Sequence, residues 1–183
     1  MRKLSQFILK CKGWRVVGEV PTEPKMVVCF APHTSNWDFF WGKVTAWAID
    51  FKMSFLIKEE WVKVWGIGWW LKKQGAVAVK RSKNTSMTDK MAELFKNSEK
   101  LNLVLSPEGT RRPVADWKRG FYYIAKKAGV PILPLVLDYA KKEVIIKPLV
   151  TPTENEEQDY IQFKSIFVGA QGKYPNKFLT GLE

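Results

Sequence analysis

Short apolar runs alternate with segments of helical periodicity along most of this chain. Met26-Val27-Val28-Cys29-Phe30, Phe55-Leu56-Ile57, Gly75 to Val79, Leu103-Val104-Leu105 and Ile132 to Leu137 are such runs. Their length and their bounding turn residues suit strands. Between them, Phe40, Val44, Trp47, Ala48 and Phe51 fall on one face of a helix from Asn36 to about Phe51. Met87, Met91, Leu94 and Phe95 mark a second helix over Thr85 to Leu101, capped by Asn84 or Thr85. A third spans Trp117 to Ala128, with Phe121, Ile124 and Ala125 inward and Gly129 as its stop. Alternation of this kind predicts an α/β architecture, a mixed sheet flanked by helices.

The ends complete the pattern. Residues 1–13 predict a short basic helix and Trp14 to Gly18 a first strand. Ile132 to Leu137 and Glu143 to Lys147 are expected to pair as closing strands. The acidic run Glu154, Glu156, Glu157 and Asp159 opens a last helix, well placed against its dipole. No repeats or linkers interrupt the chain, so one domain over residues 1–183 is expected.

The single histidine, His33, follows the strand at Met26 to Phe30, and Asp38 lies five positions on, in the first turn of the next helix. A carboxylate there can hold one ring nitrogen and free the other to take a proton. The alternative is a helix start capped by Thr34 or Ser35, with His33 a satisfied core group. Two further segments weigh on the choice. Ser106-Pro107-Glu108-Gly109-Thr110-Arg111 follows the strand at Leu103 to Leu105, and Gly75 to Val79 delivers Lys80-Arg81 at its end. Both lie at the C-terminal ends of strands, where open α/β sheets place ligands.

Together these segments resemble the phospholipid and glycerol acyltransferase family. His33 and Asp38 match its His-x4-Asp motif, Gly75 and Arg81 its second block, Glu108, Gly109 and Arg111 its third, and Val130-Pro131-Ile132-Leu133-Pro134 its fourth. The blocks occur in the family's order, in a core of about residues 25–137. Two departures stand out. Ser106 occupies a position that is more often aromatic, and Lys80-Arg81 replaces an Asp-Arg pair. The resemblance implies a mostly parallel sheet of the glycerol-phosphate acyltransferase kind. It also implies O-acyl transfer from acyl-CoA or acyl carrier protein to a lysophospholipid-like acceptor such as 1-acylglycerol-3-phosphate, in phospholipid biosynthesis. His33 would be the base and Asp38 its partner, with direct attack by the acceptor hydroxyl and no cofactor beyond the donor. Arg81, Glu108, Gly109, Thr110 and Arg111 would bind substrate. The paired arginines suit a phosphate bidentately.

Charge and aromatic content bear on partners. Thirty Lys and Arg against 18 Asp and Glu give a net +12, which implies an anionic partner. Between Arg111 and Lys127, six basic residues face only Asp116. Such a cluster suits coenzyme A phosphates, an acidic carrier protein or anionic headgroups. Cys11 and Cys29 provide no disulfide framework, and with one histidine no metal site is expected. No run approaches the 18 or so apolar residues that span a bilayer, and residues 1–10 lack a signal peptide's apolar stretch. The chain is therefore expected in the cytoplasm, peripheral on the inner face of an anionic membrane. Trp61, Trp65, Trp69 and Trp70 with flanking lysines suit that interface, or equally a core helix broken at Gly66-x-Gly68. Three other functions compete: an acyl thioester hydrolase, a non-catalytic anionic-lipid-binding protein, and a nucleic-acid-binding module. The last lacks any recognised motif.

Overall fold

The computed structural model describes residues 1–79 and 86–182. In chain order its elements are α1 (Arg2–Lys12), β1 (Arg15–Val17), β2 (Lys25–Ala31), α2 (Asn36–Ala48), β3 (Ser54–Lys58), α3 (Glu59–Lys63) and α4 (Ile67–Lys73). They continue with β4 (Ala76–Val79), α5 (Met87–Lys96), β5 (Leu101–Leu105), α6 (Gly120–Ala128), β6 (Ile132–Asp138), β7 (Glu143–Ile146) and α7 (Glu156–Ser165). The strands form one sheet in the order β1-β7-β6-β2-β5-β3-β4. Every neighbouring pair is parallel except β6–β7, the closing hairpin, so the expected mixed and mostly parallel sheet is present.

Central position explains the composition of β2. It is paired on both edges, to β5 and β6, and Met26, Val27, Val28, Cys29 and Ala31 are all fully buried. A strand covered on both faces reads as a continuous apolar run and not as an alternating one. β6 has the same character despite Pro134, which cannot donate to a ladder. That proline sits where pairing to β7 runs out: the last paired residues are Leu135 and Ile146, and Lys147 donates back to the Pro134 carbonyl.

Helices cover both faces. On one, Leu9 of α1 and Val44 and Ala48 of α2 pack with Trp14, Leu137 and Val144. On the other, Met91 and Phe95 of α5, Phe121 and Ile124 of α6, and Tyr160 and Phe163 of α7 close over Val27, Cys29, Leu103 and Ile132. This arrangement is a three-layer sandwich.

Several boundaries differ from the sequence expectation. α2 ends at Ala48, and the chain turns so that the Phe51 N–H bonds the Ala46 carbonyl. α5 covers Met87–Lys96 only, and Leu101 opens β5 instead of closing the helix, because it pairs with Lys25. The expected caps Asn84 and Thr85 lie outside the described residues, and Ser86 occupies the N-cap. α6 starts at Gly120, since Trp117 is drawn down into the core against Phe167 and Phe178 and its Nε1 donates to the Leu179 carbonyl. Gly129 does end that helix, in a left-handed conformation.

The tryptophan segment forms two short helices broken at Gly66, whose φ of 74° favours glycine. Gly68 lets them meet, because a Cβ there would lie 1.9 Å from the Val62 carbonyl oxygen. The indoles face outward: Trp65 is 96% exposed, Trp69 64%, and Trp61 and Trp70 55% each. The core-helix alternative is excluded for these four side chains.

Candidate active site

The site grows from the C-terminal end of β2. After Ala31 a cis Ala31–Pro32 bond turns the chain into His33, Thr34 and Ser35, and α2 begins at Asn36. Ser35 is the N-cap, its hydroxyl accepting from the Trp37 N–H at 3.2 Å. Asp38, in the first helical turn and fully buried, reaches back so that Oδ2 accepts the Thr34 and Ser35 N–H groups, each at 2.7 Å. The carboxylate thus answers donors that a helix start leaves unpaired. It also lies 3.2 Å from His33 Nδ1. The approach is close but not aligned as a hydrogen bond, which leaves Nδ1 a buried atom without a partner. The helix start is capped by Ser35, as the sequence allowed, and Asp38 completes the capping box beside the imidazole.

Asp38 has a third donor that spacing did not reveal. The Tyr139 hydroxyl, just past β6, donates to Oδ1 at 2.7 Å. Burial, and then the bond to Asp38, push the Tyr139 phenol well above its ordinary range.

The second loop follows β5. Because Cys29 and Leu105 are register partners in parallel strands, the two loops leave the sheet side by side. Glu108 is 1% exposed, and its Oε1 accepts the His33 N–H at 2.5 Å, so it holds the histidine's backbone. It was expected to bind substrate. Its Oε2 and the neighbouring Ser106 Oγ are buried without partners. Burial raises the Glu108 carboxyl to about 7, the His33 N–H opposes the rise, and the Asp38 charge adds to it.

This displacement has a measurable sign. The folded chain keeps the Glu108 proton to about pH 7, while the unfolded chain releases it near 4.5. The associated stability is complete below pH 4.5, falls as pH rises, and is gone above about 7. Glu108→Gln keeps an acceptor for the His33 N–H and has no proton to lose. The variant should gain on the parent by up to about 3 kcal/mol between pH 5 and 8, read from denaturant midpoints. A gap that stays constant over that range would show Glu108 ionised throughout.

An open pocket is lined by His33, Ser106, Gly109, Thr110 and Arg111. Of the expected site residues, His33, Gly109, Thr110 and Arg111 meet at this surface, while Asp38 and Glu108 lie buried behind it. Gly109 takes a φ of 65°, a turn that a side chain there would resist. Arg81, with Lys80, lies outside the described residues. Ser106, noted in the sequence only as a departure, proves to be a wall of the pocket. The basic cluster from Arg111 to Lys127 is partly neutralised: Arg119 pairs with Glu156 and Glu157, Lys126 with Glu154, and Lys127 with Asp89. Among the described residues Arg111, Arg112 and Lys118 have no such pairing, and these three lie nearest the pocket in sequence. Among those residues, too, no group of three His, Cys, Asp or Glu side chains is placed to hold a metal ion.

The histidine–aspartate pair and the glycine-arginine loop thus meet at adjoining strand ends of a three-layer α/β sandwich. The family model for acyltransferases matches residues 14–138, more than half of the chain, and the protein belongs to that family. It is 26% identical over 134 residues to the 1-acyl-sn-glycerol-3-phosphate acyltransferase of Haemophilus influenzae, an alignment covering 68% of this chain and 54% of the relative. The chain therefore spans about half the length of that relative. The fold resembles the crystal structure of the 1-acyl-sn-glycerophosphate (LPA) acyltransferase of Thermotoga maritima. The TM-score is 0.60 at 22% identity, covering 90% of this chain and 74% of that one.

Proposed function

We propose that the chain is an O-acyltransferase that moves a fatty acyl group from an acyl thioester, acyl-CoA or acyl carrier protein, to the hydroxyl of a lysophospholipid-like acceptor such as 1-acylglycerol-3-phosphate. The observation that carries this reading is an imidazole backed by a buried carboxylate, at a pocket it shares with Gly109, Thr110 and Arg111. In the proposed step His33 Nε2 takes the acceptor's hydroxyl proton as the oxygen attacks the thioester carbonyl. The C–O bond forms, the C–S bond breaks, and the imidazolium returns the proton to the departing thiolate. Asp38 stabilises the transient imidazolium, and Arg111 offers a charge to the acceptor phosphate. A small apolar cavity of about 50 Å³ lies beneath α2, room for only a short part of an acyl chain. Phe30, Phe39, Gly42, Ile49, Val104 and Leu135 are among its walls, and it reaches Asp38.

The deciding assay mixes the protein with acyl-CoA and lysophosphatidic acid and follows free thiol and diacyl product together. Equal rise of the two supports transfer. Thiol without product, over a screen of lysolipids, would replace the reading with a thioester hydrolase. No thiol from any donor would leave a lipid-binding protein.

We place the enzyme peripherally on an anionic membrane, the inner face in a cytoplasmic setting. Among the described residues no helix is long and apolar enough to cross a bilayer. The support is the outward tryptophans of α3 and α4 beside Lys63, Lys72 and Lys73. Exposed Trp37, Phe39 and Phe40 add to it, on the helix that starts at the histidine loop. Replacing Trp65 and Trp69 together with Ala should weaken binding to anionic vesicles by about tenfold or more, with added salt weakening the parent as well. Salt-independent binding to neutral vesicles, unchanged by the substitutions, would overturn this placement.

A further inference from the structure

Among the described residues, the Tyr139 hydroxyl is one of three donors on the Asp38 carboxylate, and the only side chain among them. Two of those donors are backbone groups fixed by the start of α2. The third comes from the neighbouring strand's end, 101 residues away, just past β6. It is held there on several sides. The Tyr139 N–H donates to the Gln171 carbonyl at 2.8 Å. Its ring meets Trp14 edge-on at 5.1 Å, and Trp14 in turn stacks on Trp41 of α2 at 4.8 Å. The phenol thus has little freedom to follow the carboxylate if Asp38 moves.

We propose that Tyr139 is a positioning residue for acyl transfer: by fixing Asp38 Oδ1 it holds Oδ2 beside His33 Nδ1 and sets how strongly the carboxylate draws on the imidazole's proton. The proposal rests on His33 being the base. Asp38 packs between His33 on its own loop, Tyr139 from β6 and Glu108 from the loop after β5, with the Tyr174 phenol near that of Tyr139. Removing the Tyr139 hydroxyl leaves a fully buried carboxylate oxygen with one donor fewer. The carboxylate then holds a neighbouring proton more tightly, and the imidazole gives up its own less readily.

The test compares Tyr139→Phe with the parent in the transfer assay over a range of pH. Phenylalanine keeps the ring against Trp14 and removes only the hydroxyl. We expect kcat to fall about tenfold, KM for donor and acceptor to stay within about twofold, and the acid limb of the rate profile to move to higher pH. Replacing Tyr139 with 3-fluorotyrosine, a stronger donor of the same shape, should move that limb the other way, and this decides the matter if the phenylalanine variant does not fold. A lowered melting temperature with kcat and both limbs unchanged would show a purely structural contact and overturn the proposal. His33→Ala run alongside separates the two ideas. If it keeps full activity, the assignment of the base has failed. If it is inactive while Tyr139→Phe behaves as the parent, only the role of Tyr139 has failed.

Discussion

His33→Ala should lower kcat for acyl transfer by about 10³-fold while leaving the chain folded and the acceptor bound. The expectation follows from what the imidazole touches. Its ring meets Phe30 edge-on at 5.0 Å and lies near Asp38, but the hydrogen bond that anchors the loop uses the His33 backbone N–H, donated to Glu108. Alanine keeps that N–H. The loop, the cap of α2 and the Gly109-Thr110-Arg111 wall therefore stay in place, and only the proton acceptor leaves. Initial rates of thiol release and of diacyl product, with acceptor affinity measured separately, check each half of the statement. A variant within tenfold of the parent would remove His33 from the mechanism and turn attention to Glu108, whose carboxyl titrates near neutrality.

Asp38 should separate stability from chemistry in the other direction. Asp38→Ala strands three donors around a fully buried carboxylate position: the Thr34 and Ser35 N–H groups and the Tyr139 hydroxyl. At about 1–3 kcal/mol for each unmet buried group, partly relieved by relaxation, a loss of about 3–5 kcal/mol is expected. That is a large share of the stability of an ordinary domain. Asp38→Asn keeps the shape. Its amide oxygen can accept the two backbone donors, and its NH₂ can donate to the Tyr139 oxygen, because a hydroxyl rotates to suit. The asparagine variant should stay folded with a small change in denaturant midpoint, yet lose 10²-fold or more in kcat, since no negative charge remains to stabilise an imidazolium. Equal destabilisation by the two substitutions, or an active asparagine variant, would contradict this division.

The strands that carry the site were the most legible part of the sequence. β2 and β6 are apolar over all but one end residue each because both faces are covered, and continuous runs of that kind announce themselves. Helix ends were less so. Trp117 looks like the first residue of a helix, yet it fills a hole beneath Phe167 and Phe178, and only packing reveals that preference. The outward turn of Trp61, Trp65, Trp69 and Trp70 depends on a break at Gly66 and a close approach at Gly68, which indole spacing alone could not fix. At the candidate site, His33 with Asp38 and Glu108 through Arg111 stood out by pattern. That Glu108 holds the His33 backbone, and that Tyr139 reaches Asp38, could not be read there. Both contacts join residues far apart in the chain, and no local spacing encodes them.

The pairing of Cys29 with Leu105 has a consequence for when the protein becomes competent. One loop supplies the imidazole and the other the carboxyl that fixes its backbone, and they face each other only because two strands far apart in sequence lie in one particular frame. A slip by a single residue would offset the loops by about 3.3 Å and turn alternate side chains to the opposite face. Competence is therefore all-or-none with respect to the sheet. A half-assembled chain, however collapsed, does not bring the two loops face to face, so the candidate site forms only with the finished sheet.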